Sequence, residues 1–289
     1  MHRSLALCLA LIPASASIAT TGFAAEIGRL DFDLKDNSRD KLQLTVRRSD
    51  SERNRISSTS FDARDLAGLD RAALNGRDGA PVRFAMVREP GRLDCTGATL
   101  AKRARGTCRF TGNAAFADYL VASGMRRPSE EEWLTLTMVG ARRDLVEALK
   151  QGRFEMPSPK TLAGMTALDV TPAYIRDLAA YGYRLRKPED LLPLKAMNVS
   201  PAYLQSLKSV GYDRVPVEEL IQLKALGVTA EFIASYQRRG FKNLSVSRLV
   251  QLKALGIRPD DIGRAPDAGG GGTFAMEGGA YFVSSSLMP

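Results

Sequence analysis

Histidine and cysteine are almost missing from this chain: it has one His, His2, and three Cys, Cys8, Cys95 and Cys108, in 289 residues. Beyond residue 25 there is no imidazole and there are only two thiols. That shortage excludes a Ser-His-Asp triad, a Cys-His pair and the histidine-containing zinc sites, because each needs a ring nitrogen as base or ligand. Long apolar runs are lacking too. The longest near the start, Leu5 to Ile12, is eight residues, far short of the about 20 that a spanning helix requires. His2 and Arg3 precede this run, and Pro13 and small residues follow it, which is the layout of a secretory signal. Cleavage is expected after Ala16, with Ala14 and Ala16 as the small residues, or after Ala24, with Gly22 and Ala24. The expectation is a signal peptide over residues 1–25, a periplasmic or secreted protein, and no transmembrane segment in the mature chain.

Charge is present but unevenly spread. The formal net charge is +9; residues 26–128 hold 20 Lys and Arg against 14 Asp and Glu, and residues 129–289 hold 20 against 18. Attraction to an anionic polymer is therefore expected to be strongest on the N-terminal part. A nucleic-acid partner is not expected.

Residues 26–128 read as an antiparallel β domain of sandwich type with a closing helix. Leu42, Leu44 and Val46 alternate with Lys41, Gln43, Thr45 and Arg47, giving one apolar and one polar face. Val82, Phe84 and Met86 form an inward set, and Glu89, Pro90, Gly91 and Arg92 supply a turn with Pro and Gly at its centre. That turn predicts Met86 opposite Cys95 and Phe84 opposite Gly97. In the next hairpin, Cys95 opposite Cys108 also sets Leu93 against Phe110 and Gly97 against Gly106. The expected strands are 82–88, 92–98 and 105–111, with a Cys95–Cys108 disulfide across the second hairpin. A short helix is expected over 63–75 and a closing helix over 113–124.

From Trp133 the period changes. Leu162, Leu191, Leu220 and Leu249 are 29 apart, as are Leu168, Met197, Leu226 and Leu255, and Val170, Val199, Val228 and Ile257. Gly182, Gly211 and Gly240 recur at the same interval. Each unit reads as a helical hairpin. Leu220, Ile221, Leu223 and Leu226 line one face of a first helix that Gly227 ends. Thr171-Pro172 and Ser200-Pro201 start a second helix carrying Tyr174, Ile175 and Leu178, or their equivalents. The expected architecture is an α-helical repeat solenoid over 129–266. Its parts are a poorly fitting N-terminal cap plugged by Trp133 (133–161), units 162–190, 191–219 and 220–248, and a half unit 249–262. A Gly-rich tail, 267–289, follows. Pro193 falls where a first-helix amide should donate and predicts a kink.

The wording of these units, as in Leu223-Lys224-Ala225-Leu226-Gly227-Val228-Thr229, resembles repeats of uncharacterised bacterial envelope proteins, similar to those appended to BlaR-type membrane sensors. The resemblance covers residues 162–262. It implies an envelope setting and no peptidase activity, since no His-Glu-x-x-His motif is present.

Candidate chemistry is sparse. Ser38 and Lys41 have Ser-x-x-Lys spacing without the Ser-Asp-Asn or Lys-Thr-Gly companions that such a nucleophile needs, so they read as a turn. Asp31, Asp33, Asp36 and Asp40 offer oxygen ligands for calcium but miss the EF-hand spacing. No catalytic residue, metal or cofactor is assigned, although a carboxylate-based hydrolase stays open as an alternative. Lys195, Lys224 and Lys253 form a ladder at the repeat interval that reads as a candidate binding face for an acidic partner or as plain solvated surface. The function expected is a non-enzymatic scaffold that docks a protein or envelope component through the repeat. The alternative is anionic-polymer binding by the β domain.

Overall fold

The computed structural model describes residues 26–37, 41–48, 56–262, 276–277 and 280–281. The expected signal peptide, Ser38, Asp40 and the glycine run at 269–272 lie outside the described residues. Strands β1 (Glu26–Asp36), β2 (Leu42–Arg48), β3 (Ile56–Phe61), β4 (Pro81–Arg88), β5 (Gly91–Leu100) and β6 (Arg103–Gly112) form one antiparallel sheet in the order β3-β2-β1-β6-β5-β4. The sheet curls into a half-barrel. Its inner face is the alternating apolar set: Leu30, Phe32, Leu34, Leu42, Leu44, Val46, Phe84, Met86, Leu93 and Phe110 are all buried. Where a sandwich would place a second sheet, this face carries the segment 62–80 and the helix Glu130–Val139. Instead of one helix over 63–75, two 3-10 turns, Ala63–Asp65 and Arg71–Asn75, set Leu66 and Leu74 into the core.

The second hairpin has the expected register, Leu93 opposite Phe110, Cys95 opposite Cys108 and Gly97 opposite Gly106. The first does not. Met86 pairs with Leu93 and Phe84 with Cys95, because the loop is Glu89–Pro90 alone and Gly91 already belongs to β5. Gly91 is a glycine for a different reason than turn geometry: a Cβ there would lie 2.7 Å from the Thr111 carbonyl oxygen and 2.9 Å from the Phe110 ring. The slip is two residues, so the inward set is unchanged.

Among the described residues, ten α-helices follow the sheet: α1 (Ala114–Ala122), α2 (Glu130–Val139), α3 (Arg143–Gln151), α4 (Pro159–Ala167), α5 (Pro172–Ala180), α6 (Leu191–Ala196), α7 (Pro201–Ser209), α8 (Val217–Ala225), α9 (Ala230–Arg238) and α10 (Val246–Ala254). The even-numbered helices from α2 pack side by side, α2 on α4, α4 on α6, α6 on α8 and α8 on α10; α3 packs on α5 and α7 on α9. Leu162, Leu191, Leu220 and Leu249 are fully buried along this row. A 3-10 turn, Pro188–Asp190, opens the unit that contains Pro193, and α6 is only six residues long. Pro193 thus stands in the first turn of α6, where no intrahelical amide bond is lost. The expected kink is a late helix start instead.

The two halves interlock. Phe116 and Leu120 of α1 belong to the helical core, while Trp133 and Met138 of α2 belong to the sheet core. Trp133 Nε1 donates to the Pro90 carbonyl at 2.6 Å, and its ring lies against Gly112, where a Cβ would approach to 2.6 Å. Trp133 therefore joins the array to the sheet rather than plugging an end of the array. Arg88 strengthens the joint by donating to the Met138 carbonyl at the C-terminal end of α2, where a cation is favoured.

Candidate binding surface of the helical array

Helix caps recur at a fixed spacing. First helices begin after Ser129, Ser158, Lys187, Pro216 and Ser245, and second helices after Arg142, Thr171, Ser200 and Thr229, each series spaced by 29. The hydroxyls of Ser129, Ser158, Thr171, Ser200, Thr229 and Ser245 accept from a backbone amide in the first helical turn, which removes one orphan donor per helix. Residues 130–151 are therefore a hairpin in register with the rest. The expected cap at 133–161 begins four residues too late because Arg142 and Arg153 stand where later units have Ser or Thr and Gly.

The seams between units are closed by two series of aromatic residues. The Tyr174 hydroxyl donates to the Val199 carbonyl at 3.0 Å and that of Tyr203 to Val228 at 2.9 Å. In the next unit Phe232 has no hydroxyl, and Tyr236, one turn later, donates to Ile257 at 2.5 Å. A second series runs from Tyr183 to the Val215 carbonyl at 3.0 Å and from Tyr212 to that of Leu244. Burial pushes the Tyr174, Tyr183, Tyr203 and Tyr236 phenols up to about 12, since the charged form would lose its hydration.

The lysine ladder belongs to the same seams. Lys195 Nζ lies 5.0 Å from the centre of the Tyr174 ring, Lys224 4.3 Å from Tyr203 and Lys253 4.9 Å from Phe232. Each ammonium sits over an aromatic face of the preceding unit, a cation–π contact worth about 0.5–1 kcal/mol when partly exposed. Lys195 also lies 3.5 Å from Asp169. The ladder is half-buried and occupied within the protein, so its geometry is that of a staple.

The array also leaves large apolar side chains exposed. Leu168, Met197, Leu226 and Leu255 are the C-cap residues of α4, α6, α8 and α10 and are 37%, 38%, 38% and 73% exposed. The sequence pattern put Leu226 on the buried stripe. It is turned outward because the helix ends there: Asp169, Asn198, Gly227 and Gly256, the next residues, have φ between 53° and 66°, and Val170, Val199 and Val228 then fold back into the core. The result is a row of four exposed apolar side chains at one per unit.

On the sheet, Cys95 and Cys108 face each other with Cα atoms 4.1 Å apart and sulfurs at disulfide distance. Among the described aspartates considered for calcium, Asp31 and Asp33 share the outer face and Asp36 does not join them. Asp33 accepts from Arg103 and Arg105 on the outer face, whereas Asp36, an odd number of residues on, points the other way and is held by Arg71 at 2.7 and 2.9 Å. The Arg71 guanidinium keeps the Asp36 carboxyl below its usual range. Lys41 is paired with Asp62 at 2.8 Å. The outer face also has a recess of about 480 Å³ lined by Arg47, Arg103, Arg105, Asp31 and Asp33. No described helix is long and apolar enough to cross a membrane. Compared with models of protein families, with curated proteins and with solved structures, the chain finds no match.

Proposed function

We propose that this is an exported, non-enzymatic docking protein whose helical hairpins form a solenoid, with the exposed row Leu168, Met197, Leu226 and Leu255 as the contact surface for a protein of the cell envelope. The observation that carries the reading is that row. The four side chains recur at one helix end in each unit; exposed apolar side chains that join into a patch mark interaction sites, and a stack of hairpins is suited to presenting them rigidly. The like-on-like stacking of first helices supports the solenoid, the paired cysteines suit an oxidising compartment, and the repeat resemblance suits the envelope. The lysine ladder is reassigned from docking face to seam, because its ammonium groups already have aromatic partners. Changing Leu168, Met197 and Leu226 together to Glu should remove the partner recovered from envelope extract while leaving helicity unchanged. Recovery at the original level would exclude the row as the contact.

A second reading has its own observation in the Arg47, Arg103 and Arg105 recess on the outer sheet face, which suits an anionic polymer. Binding through it should fall steeply as salt is raised toward 0.5 M, where charge interactions are screened within a few ångströms, whereas docking through the apolar row should not.

A further inference from the structure

The first seam of the array departs from the pattern that closes the others. At the two following seams a tyrosine, Tyr183 or Tyr212, donates across to the carbonyl of an apolar residue, buried Val215 or half-buried Leu244. In the first seam the same register holds Phe154, which has no hydroxyl, and Arg186, whose exposed side chain donates from Nη1 to the Arg153 carbonyl at 3.4 Å. The Arg186 carbonyl accepts the Glu155 amide at 2.9 Å instead. A third departure is Arg153. It occupies the left-handed position taken by Gly182, Gly211 and Gly240 in later units, with φ of 57°, a conformation that disfavours a side chain.

These substitutions leave a half-open recess of about 440 Å³ between α3, α5 and the loops that follow them. Its lining includes the buried Ile175 and Leu178, half-buried Phe154 and the exposed Arg153, Arg184 and Arg186. No carboxylate lines it. Among the described residues none of the three guanidinium groups forms an ion pair. At the register of Arg184 the next unit has Asp213, so the cationic rim is particular to this seam. The volume is within the about 300–1,000 Å³ usual for small-ligand sites, and such sites combine an apolar lining with a few fixed polar groups. Arginine is the side chain best shaped to hold a carboxylate, through paired N–H donors.

We infer that the recess binds a small amphipathic carboxylate, an unbranched acyl chain whose tail lies on Ile175 and Leu178 and whose head group is held by the arginine rim. The site is separate from the exposed row and does not depend on the docking reading.

The test is calorimetric titration of the full chain with decanoate, beside decanol, which lacks the charge, and acetate, which lacks the chain. One decanoate should bind per chain, with decanol at least tenfold weaker and acetate giving no saturable signal. The double variant Phe154→Tyr, Arg186→Val restores the pattern of the later seams. It should keep its melting temperature and lose decanoate affinity at least tenfold. Arg184→Ala, at an exposed position, should weaken decanoate without changing decanol, and this arm stands even if the double variant folds poorly. Absence of saturable decanoate binding, or affinity unchanged in Arg184→Ala and in the double variant, would overturn the assignment.

Discussion

Replacing Tyr203 by Phe isolates a single atom of the seam between two hairpins. The ring stays, and with it the Lys224 contact, as Phe232 beneath Lys253 demonstrates in the next unit. What is lost is the hydroxyl that donates to the buried Val228 carbonyl at 2.9 Å. Leaving a buried acceptor without its partner costs about 1–3 kcal/mol. The unit with Phe232 avoids that cost through Tyr236, but one turn beyond Tyr203 the chain has Leu207, which cannot donate. For a folded unit of this size, each kcal/mol corresponds to about 2–4 °C in melting temperature, so Tyr203→Phe should melt about 2–12 °C below the parent, followed by helical circular dichroism. Tyr181→Phe is the control, since the Tyr181 hydroxyl makes no hydrogen bond among the described residues. Equal melting of Tyr203→Phe, Tyr181→Phe and the parent would refute the idea that tyrosine hydroxyls join successive units.

The same tyrosines predict the response to alkali: with folded-state values raised to about 12 from about 10, their neutral forms stabilise the fold fully below pH 10, and that contribution disappears as pH rises through 12. Absorbance at 295 nm should show these phenols ionising together with the loss of helicity, and ionisation near pH 10 with helicity intact would contradict it. Protein from an oxidising compartment should carry the Cys95–Cys108 bond, so alkylation without reduction should label neither thiol; the double Cys→Ser variant should lose about 3 kcal/mol, the chain-entropy value for a loop of this size. Gly211→Val should melt well below Gln205→Ala. Gly211 has φ of 93°, which valine resists, and open space around its missing Cβ means that backbone strain alone is tested.

The helices after the sheet were legible in the sequence because one residue type, leucine, falls at a buried first-helix position at 162, 191, 220 and 249, and glycine follows three successive second helices. Its limits are instructive. Leu168, Met197, Leu226 and Leu255 recur with the same period as the core, and periodicity cannot tell a buried series from one turned outward by a helix end. Sequence periodicity leaves Lys195, Lys224 and Lys253 open between a binding face and solvated surface, yet an aromatic residue stands 21 positions before each, Tyr174, Tyr203 and Phe232, and that pairing is the available signal. The cap expected at 133–161 misses the start of its first helix because Lys187 and Pro216 interrupt the serine caps that would extend the register back to Ser129. In the sheet, parity was legible and the first hairpin register was not, since Gly91 serves close packing against Phe110 and not the turn. The recess beside Arg186 is visible only as a break in a pattern whose later members must first be seen closing their seams.

The docking claim is tested most directly by photo-cross-linking in the native host, with a photoreactive side chain placed in turn at 168, 197 and 226, and at the exposed second-helix position 205 as control. A discrete adduct with the same envelope protein from the three row positions and none from 205 is the result expected. Adducts absent from the row, or formed equally at 205, would contradict the assignment of this face.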